Sequence, residues 1–456
     1  MALAPYVTSP LPEPSKLPGT ASNQARPSPV RLADYLALGQ VPWTLAYIGF
    51  LAFFVITTTY IVDLGTAAMA VAILGLILER RRIQFPVPVR ILIVFWIWAS
   101  LSIALSPFPG DTTALIDLGK TALVFLVAVN VLWHRQALRI FLLVYVACFA
   151  LYPVRGSIFN YYIYGYADFG RPSWRLLFGN PNDMAALTLL ALGIAAGFLQ
   201  KDAPRLIRLG AFLACLVFPF VVLLTQSRAG FLGLVAFTLL AVFSATRHRM
   251  RLLVALIAIA VAVIAVAPTD VWQRVSGLRY GTATETIDMM DPEGSAGERW
   301  RIVLTALQIV KDHPVLGVGI GRYHDANLVY SPLIGSKSVH NTYLEVLAET
   351  GAPGMLLFLW FLITLILHAR RVRHDALALR ESPEWRRLQL LELGLYGFLV
   401  AGLFGTYGFL SMLYIYLAVL FAQTEMLRTL AAKPSGSLVM PASDRAKAQQ
   451  RPFTDP

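Results

Sequence analysis

Charged side chains are scarce in this chain, at 14% of 456 residues against 57% hydrophobic ones. So little polar material cannot cover a water-soluble globule of this length, so a bilayer has to supply the missing apolar solvent. Cysteine occurs only twice. Cys148 and Cys215 both fall inside apolar runs, which excludes a disulfide framework or a thiolate metal site and leaves packing as their role. Acidic residues are few, 26 against 38 Lys and Arg, giving a net charge of +12. Nucleic-acid binding would need those cations on one water-facing patch, whereas here they punctuate apolar runs, so no nucleic-acid partner is expected. Missing too is an apolar stretch before a small-residue cleavage site near the start. Residues 1–40, rich in Pro, Ser and Ala, are expected to form a flexible cytoplasmic tail ahead of an uncleaved first span.

What the chain has in quantity is apolar runs long enough to cross hydrocarbon. They lie at about 42–62, 64–79, 90–106, 113–133, 137–153, 183–199, 206–226, 229–245, 251–267, 353–368, 390–407 and 409–427. The expected fold is therefore all-α, a polytopic membrane protein with about twelve transmembrane helices and both termini on one side. Nine spans fill residues 41–267, a large helical loop fills 268–352, and three spans fill 353–428, followed by a flexible tail at 429–456. Alternating the connecting loops puts Arg82 and Arg90, Arg135 and Arg139, and Lys201 and Arg205 on one face. The basic residues around 247–251, 370–373 and 386–387 fall there too. That face is cytoplasmic by the positive-inside rule, so segments 153–182, 226–229 and 268–352 face outward.

Cations in the outward segments run against this bias and need another reason to be there. Arg228, in LTQSRAGFLG, sits between two spans with almost no loop. An arginine there either snorkels to lipid headgroups or clamps an anion with its planar fork. In SAGERWRIVLTALQIVKDHPVLGVGIGRY, Trp300, Val303, Leu304, Leu307 and Val310 recur at helical spacing after Ser295 and Glu298. The pattern predicts an amphipathic helix whose apolar stripe lies against the membrane domain. Arg299 and Arg301 fall in its first turn, where the helix dipole disfavours cations, which hints at an anionic partner. Gly317, Gly319 and Gly321 lack a preceding strand and read as a tight turn rather than a dinucleotide loop. In SVHNTYLEVLAETGAPG, His340 and Asn341 open a short helical stretch closed by Gly351 and Pro353. His340 is either a solvated loop residue or a proton acceptor, and His313 and His324 are its outward competitors. Segment 155–182 carries Arg155, Arg171 and Arg175 among many aromatics, read as an interfacial belt with a few rings free for sugar stacking. Asp288 and Asp291 are a close outward acidic pair without a third ligand, so no metal is expected.

Three stretches in order, TQSRAG, then SAGER with HPVLGVGIG, then HNTYLEVLAETG leading to Gly354, resemble the signature of the bacterial O-antigen ligase and polymerase family. FGNPNDMAAL reinforces the resemblance, which spans about residues 170 to 360. It implies a GT-C-like membrane glycosyltransferase of the bacterial inner membrane, with its active site facing the periplasm and no cofactor. The donor it implies is an undecaprenyl-diphosphate-linked O-antigen and the acceptor lipid A-core, with membrane lipids as the remaining partners and a monomer as the expected state. It carries over His340, Arg228 and Arg299 as essential residues and Asn182 as a motif residue. Arg301, Asn341 and Arg155 join Arg228, Arg299 and Asn182 as candidates for binding the diphosphate or the glycan.

The ligase branch is preferred because the large loop lies late, between the ninth and tenth spans, and is followed by the histidine motif. An O-antigen polymerase or protein O-glycosyltransferase shares much of this layout. A transporter is the rival from another class, favoured by the number of spans and by Asp117 and Lys120 within one of them. Against it stand the absence of repeated halves and the gathering of the notable charges at the outer boundary. Asp117 and Lys120 are expected to form a structural ion pair.

Overall fold

In a computed structural model, the described residues are 30–79, 82–165, 167–168, 171–244, 250, 253–254, 256–257, 295–333 and 335–432. Most of the expected ninth span, residues 1–29 and 433–456 of the tails, and Asp288 and Asp291 lie outside them. Among the described residues the chain is helical apart from one two-stranded hairpin. After the short α1 (Leu32–Leu36) come α2 (Leu45–Thr59), α3 (Gly65–Leu78), α4 (Val87–Ala104), α5 (Thr113–Val131) and α6 (Arg135–Tyr164). The hairpin pairs β1 (Ala167–Asp168) with β2 (Arg171–Pro172). Then follow α7 (Pro181–Ala196), α8 (Arg205–Leu224), α9 (Arg228–Ser244), α10 (Ser295–Asp312) and α11 (Tyr323–Tyr330). The chain closes with α12 (Thr342–Asp375), α13 (Pro383–Ala401) and α14 (Ser411–Ala431).

Each expected span within the described residues coincides with one of these helices. Among the described residues six helices are long and apolar enough to cross a membrane, and α2, α3 and α9 are shorter apolar ones. They make a multi-pass bundle. α7 is buried along most of its length between α8, α9 and α13, α4 packs on α12, and α5 on α14.

Several boundaries differ from expectation, each for a local reason. α6 runs 30 residues, about 45 Å at 1.5 Å per residue, longer than the roughly 30 Å hydrocarbon layer. The outward loop assigned from residue 153 therefore begins later. Two π-type turns flank residues 155–159 and carry the helix past Pro153, whose missing N–H would otherwise end it. α13 starts at Pro383 rather than near 390, because ion pairs bring its charges inside: Arg135 with Glu384, Arg387 with Asp202, and Arg373 with Glu392 at 2.7 Å. Buried charges are tolerated when paired. Asp117 and Lys120 do pair, at 2.9 Å, on an exposed surface of α5.

α10 forms where the spacing predicts it, but turned around its axis. Of the expected inward stripe, Trp300, Leu304 and Leu307 are 48%, 49% and 50% exposed, Val303 and Val310 are half-buried, and Ile302, Ala306 and Ile309 are the buried face. That face packs on Val318, Tyr323, Ala326, Val339 and Ala348 in a small second core. Both stripes obey the helical period, and the one built from Ile302, Ala306 and Ile309 is the one that packs on the neighbouring turn.

Candidate functional site

The motif segments meet at the end of the bundle opposite the basic loops. Gly317, Gly319 and Gly321 all have positive φ and make the tight turn expected of them. The turn is fastened to the end of α4: Ser102 Oγ donates to the Leu316 carbonyl at 2.6 Å, Ser106 Oγ to that of Val318, and Arg322 Nη1 to that of Ile103 at 3.0 Å. Its other side lies on the first half of α12, where the N–H groups of Val318 and Gly319 donate to the carbonyls of Ala348 and Glu349, both at 2.9 Å. Buried Glu349 accepts from the backbone N–H of Tyr323, so its carboxylate closes the turn. α12 is kinked at Gly351 (φ 66°, ψ −177°), which separates a first segment, 342–350, from the spanning part. The short helix expected after His340 is that first segment.

His340 stands just before α12 with φ 56°, left-handed backbone that non-glycine residues seldom adopt, though histidine does so more often than most. Asn341 caps the helix, its Oδ1 accepting from the N–H groups of Tyr343 and Leu344, both at 3.0 Å. Its side-chain oxygen is therefore committed to the backbone, a role that the sequence reading as a ligand-binding residue did not include. Thr342 follows, and its Oγ1 donates to the Gly405 carbonyl at 2.7 Å and accepts from the Tyr407 N–H at 2.8 Å. The loop between α13 and α14 is thus strapped to the histidine turn.

Tyr407 is buried and reaches across to a third segment, its OH donating to the Asn182 carbonyl at 3.3 Å. Asn182 sits in the first turn of α7, behind the Asn180 cap. Its Oδ1 accepts from Arg171 Nη2 at 2.8 Å, while Arg171 Nε donates to the Thr225 carbonyl at 2.8 Å. Thr225 opens the TQSR turn, where Gln226 is left-handed at φ 52° and Ser227 Oγ caps α9 by accepting from the Gly230 N–H at 3.2 Å. Arg228 is the first residue of α9 and half-buried. One hydrogen-bonded path therefore joins the histidine turn to the arginine turn through Tyr407, Asn182 and Arg171.

Charges converge on the same place. Burial holds the Tyr407 phenol protonated well above the usual tyrosine range; Asp183 adds to this, and Arg299 and Arg171 act against it. The first turn of α10 is thus within electrostatic reach of Tyr407. Glu345 lies within electrostatic reach of Glu349 and Asp183, so three carboxyl groups gather beside the histidine turn. Guanidinium groups that act together at Tyr407 have the chemistry to hold an anion, and the backbone of the histidine turn is strapped to the same residue. Among the described residues no group of three or more His, Cys, Asp or Glu side chains is arranged to hold a metal ion.

Arg301 is exposed on α10, and Arg155 is exposed on α6 with its guanidinium 4.5 Å from the Phe159 ring centre. Neither takes part in the path. Sequence reasoning named Arg171 but gave it no role, and it missed Asp183, Glu345, Glu349 and Tyr407. Glu345 and Glu349 carry a signal, an i, i+4 pair one and two turns after His340. Tyr407 carries none, since it belongs to a loop 65 residues beyond Thr342.

Residues 209–359 match the family model described as O-antigen ligase. The match supports the O-antigen ligase family read from the motifs. It contains Arg228, Arg299, Arg301, His340 and Asn341, whereas Asn182, Arg171 and Tyr407 lie outside it. A comparison with curated proteins finds no match. That match, in a multi-pass bundle, supports a membrane enzyme of the ligase or polymerase type.

Proposed function

We propose that the protein is an O-antigen ligase that moves the O-antigen glycan from undecaprenyl diphosphate to lipid A-core at the periplasmic face of the inner membrane. The observation that carries this reading is the path from the His340 turn through Tyr407, Asn182 and Arg171 to the turn bearing Arg228, with Arg299 within electrostatic reach of Tyr407. Ligation is preferred over polymerisation because the large loop falls late in the chain and leads directly into the histidine turn.

The chemistry follows from the leaving group. A polyprenyl diphosphate departs as a stable anion, so it needs cations more than a general acid. Arg228 and Arg299 bind the diphosphate and stabilise the charge that grows as the bond from the anomeric carbon to the phosphate oxygen breaks, an effect of roughly 3 kcal/mol or more in a water-poor site. His340 accepts the proton of the acceptor hydroxyl while its oxygen bonds to that carbon, a contribution of about 10² to 10⁴ in rate. Direct attack inverts the anomeric centre. The two guanidinium groups do the work that a divalent ion does in other glycosyl transfers, so the reaction is metal-independent.

The test is a lipopolysaccharide gel in a ligase-deficient strain complemented with His340→Ala, Arg228→Ala or Arg299→Ala at matched protein levels. Loss of the O-antigen ladder is expected for each, and wild-type ladders from all three overturn the mechanism. Reconstitution with purified lipid-linked donor separates the branches: product on lipid A-core supports ligation, and product only on a second lipid-linked chain makes the protein a polymerase.

A further inference from the structure

Arg171 lies outside the matched segment and outside the three motifs, yet its guanidinium holds two of their flanks together. Nε–H donates to the Thr225 carbonyl and Nη2–H to Asn182 Oδ1, each at 2.8 Å. The first acceptor is at the C-terminus of α8, where the last carbonyls lack intrahelical partners and the helix dipole favours a cation. The second is in the first turn of α7, whose main chain at the same residue accepts from Tyr407.

We infer that Arg171 is a positioning residue that fixes the TQSR turn, and with it Arg228, relative to the His340 turn. The inference rests on the reading of Arg228 as a diphosphate ligand. The turn has little freedom of its own, because Thr225 Oγ1 is tied to Val222, Gln226 is left-handed and Ser227 is tied to Gly230. Its placement as a body therefore depends on what grips it from outside, and Arg171 grips it at the residue before that left-handed step. A guanidinium is required, since only a rigid planar fork presents two N–H groups to two separate oxygens at fixed geometry. A lysine keeps the charge and satisfies one of them. Arg171 is half-buried on a two-residue strand outside the spanning helices, so its loss removes an anchor and not a core side chain. A displacement of about 1 Å at a reacting centre costs on the order of 10² in rate.

Two measurements on the full-length protein in proteoliposomes test this. With lipid-linked donor and lipid A-core, Arg171→Ala and Arg171→Lys are both expected to lose at least about tenfold in kcat/KM at unchanged protein level and melting temperature. Wild-type kcat/KM in Arg171→Lys beside an inactive Arg228→Ala overturns the inference and leaves the functional reading standing. The second measurement does not depend on activity. In a background of Cys148→Ala and Cys215→Ala, a Ser227→Cys reporter replaces a side chain that is 3% exposed, so it reacts slowly with a membrane-impermeant maleimide. Adding Arg171→Ala is expected to raise that rate at least about tenfold, as the turn loses its anchor. An unchanged rate overturns the inference whatever Arg228→Ala does; full activity in Arg228→Ala overturns the functional reading, and the labelling rate then decides the anchor by itself.

Discussion

Replacing Gly351 by alanine strikes the contact between the HPVLGVGIG turn and the segment of α12 that begins at His340. At φ 66° and ψ −177° this residue occupies backbone space essentially reserved for glycine, so an alanine costs roughly 1–3 kcal/mol before any contact is considered. The added Cβ would stand 2.0 Å from the Val315 carbonyl oxygen and 2.4 Å from its carbon. Ordinary carbon-to-oxygen contacts start near about 3.3 Å, so the turn would have to retreat by about 1 Å. Retreat loosens the Ala352 N–H to Pro314 bond at 2.8 Å and the two bonds from Val318 and Gly319, each worth about 0.5–1.5 kcal/mol. The strain and the three bonds together come to about 2.5–7.5 kcal/mol if every bond is lost, with misplacement of the His340 segment as the consequence. Gly335→Ala is the matched control: its φ is 78°, but no atom stands within 4 Å of the added carbon. It should cost about 1 kcal/mol from the backbone alone. Thermal melting of the detergent-solubilised full chain, alongside ladder formation in cells, reads both effects. Equal melting shifts in the two variants, or a fully active Gly351→Ala, would refute the claim that this contact sets the site.

Asn341→Ala removes a cap that serves two N–H groups and should destabilise the first turn of α12 by about 1 kcal/mol. Asn341→Asp, which keeps the accepting oxygen, should retain most of the melting temperature; equal losses in the two would mean that the side chain acts elsewhere. On α10, Ile309→Ala should cost about 2–5 kcal/mol, because Ile309 is fully buried. Leu307→Ala, on the exposed face, should stay within about 0.5 kcal/mol in the same melt, and the reverse order would restore the orientation read from the sequence.

Hydropathy located the apolar helices because crossing a bilayer demands a long apolar run whatever the neighbours, about twenty residues for a full span. It misjudged α13 for the complementary reason. Glu384, Arg387 and Glu392 count as water-loving in any sliding window, and only their partners Arg135, Asp202 and Arg373, distant in sequence, let them sit inside. The facing of α10 was illegible in a different way, since two stripes satisfied one period and the choice fell to the shape of the turn beneath it.

The same distinction runs through the candidate site. His340, Arg228 and Arg299, the residues proposed to act, are legible along the chain because each lies in a short recognisable string. Their supports are not. Arg171 and Tyr407 act by holding segments far apart in sequence, and neither lies in a pattern that a window could detect. Two motif turns also place a non-glycine residue, Gln226 and His340, in left-handed backbone, at a cost of order 1–3 kcal/mol each that persists only where surrounding contacts over-determine the conformation. Those contacts are the Thr342 strap to Gly405 and Tyr407 on one side and the Arg171 fork on the other. The residues proposed to meet the substrate are thus a property of local sequence, and the geometry in which they stand is a property of the loops and the hairpin that grip them.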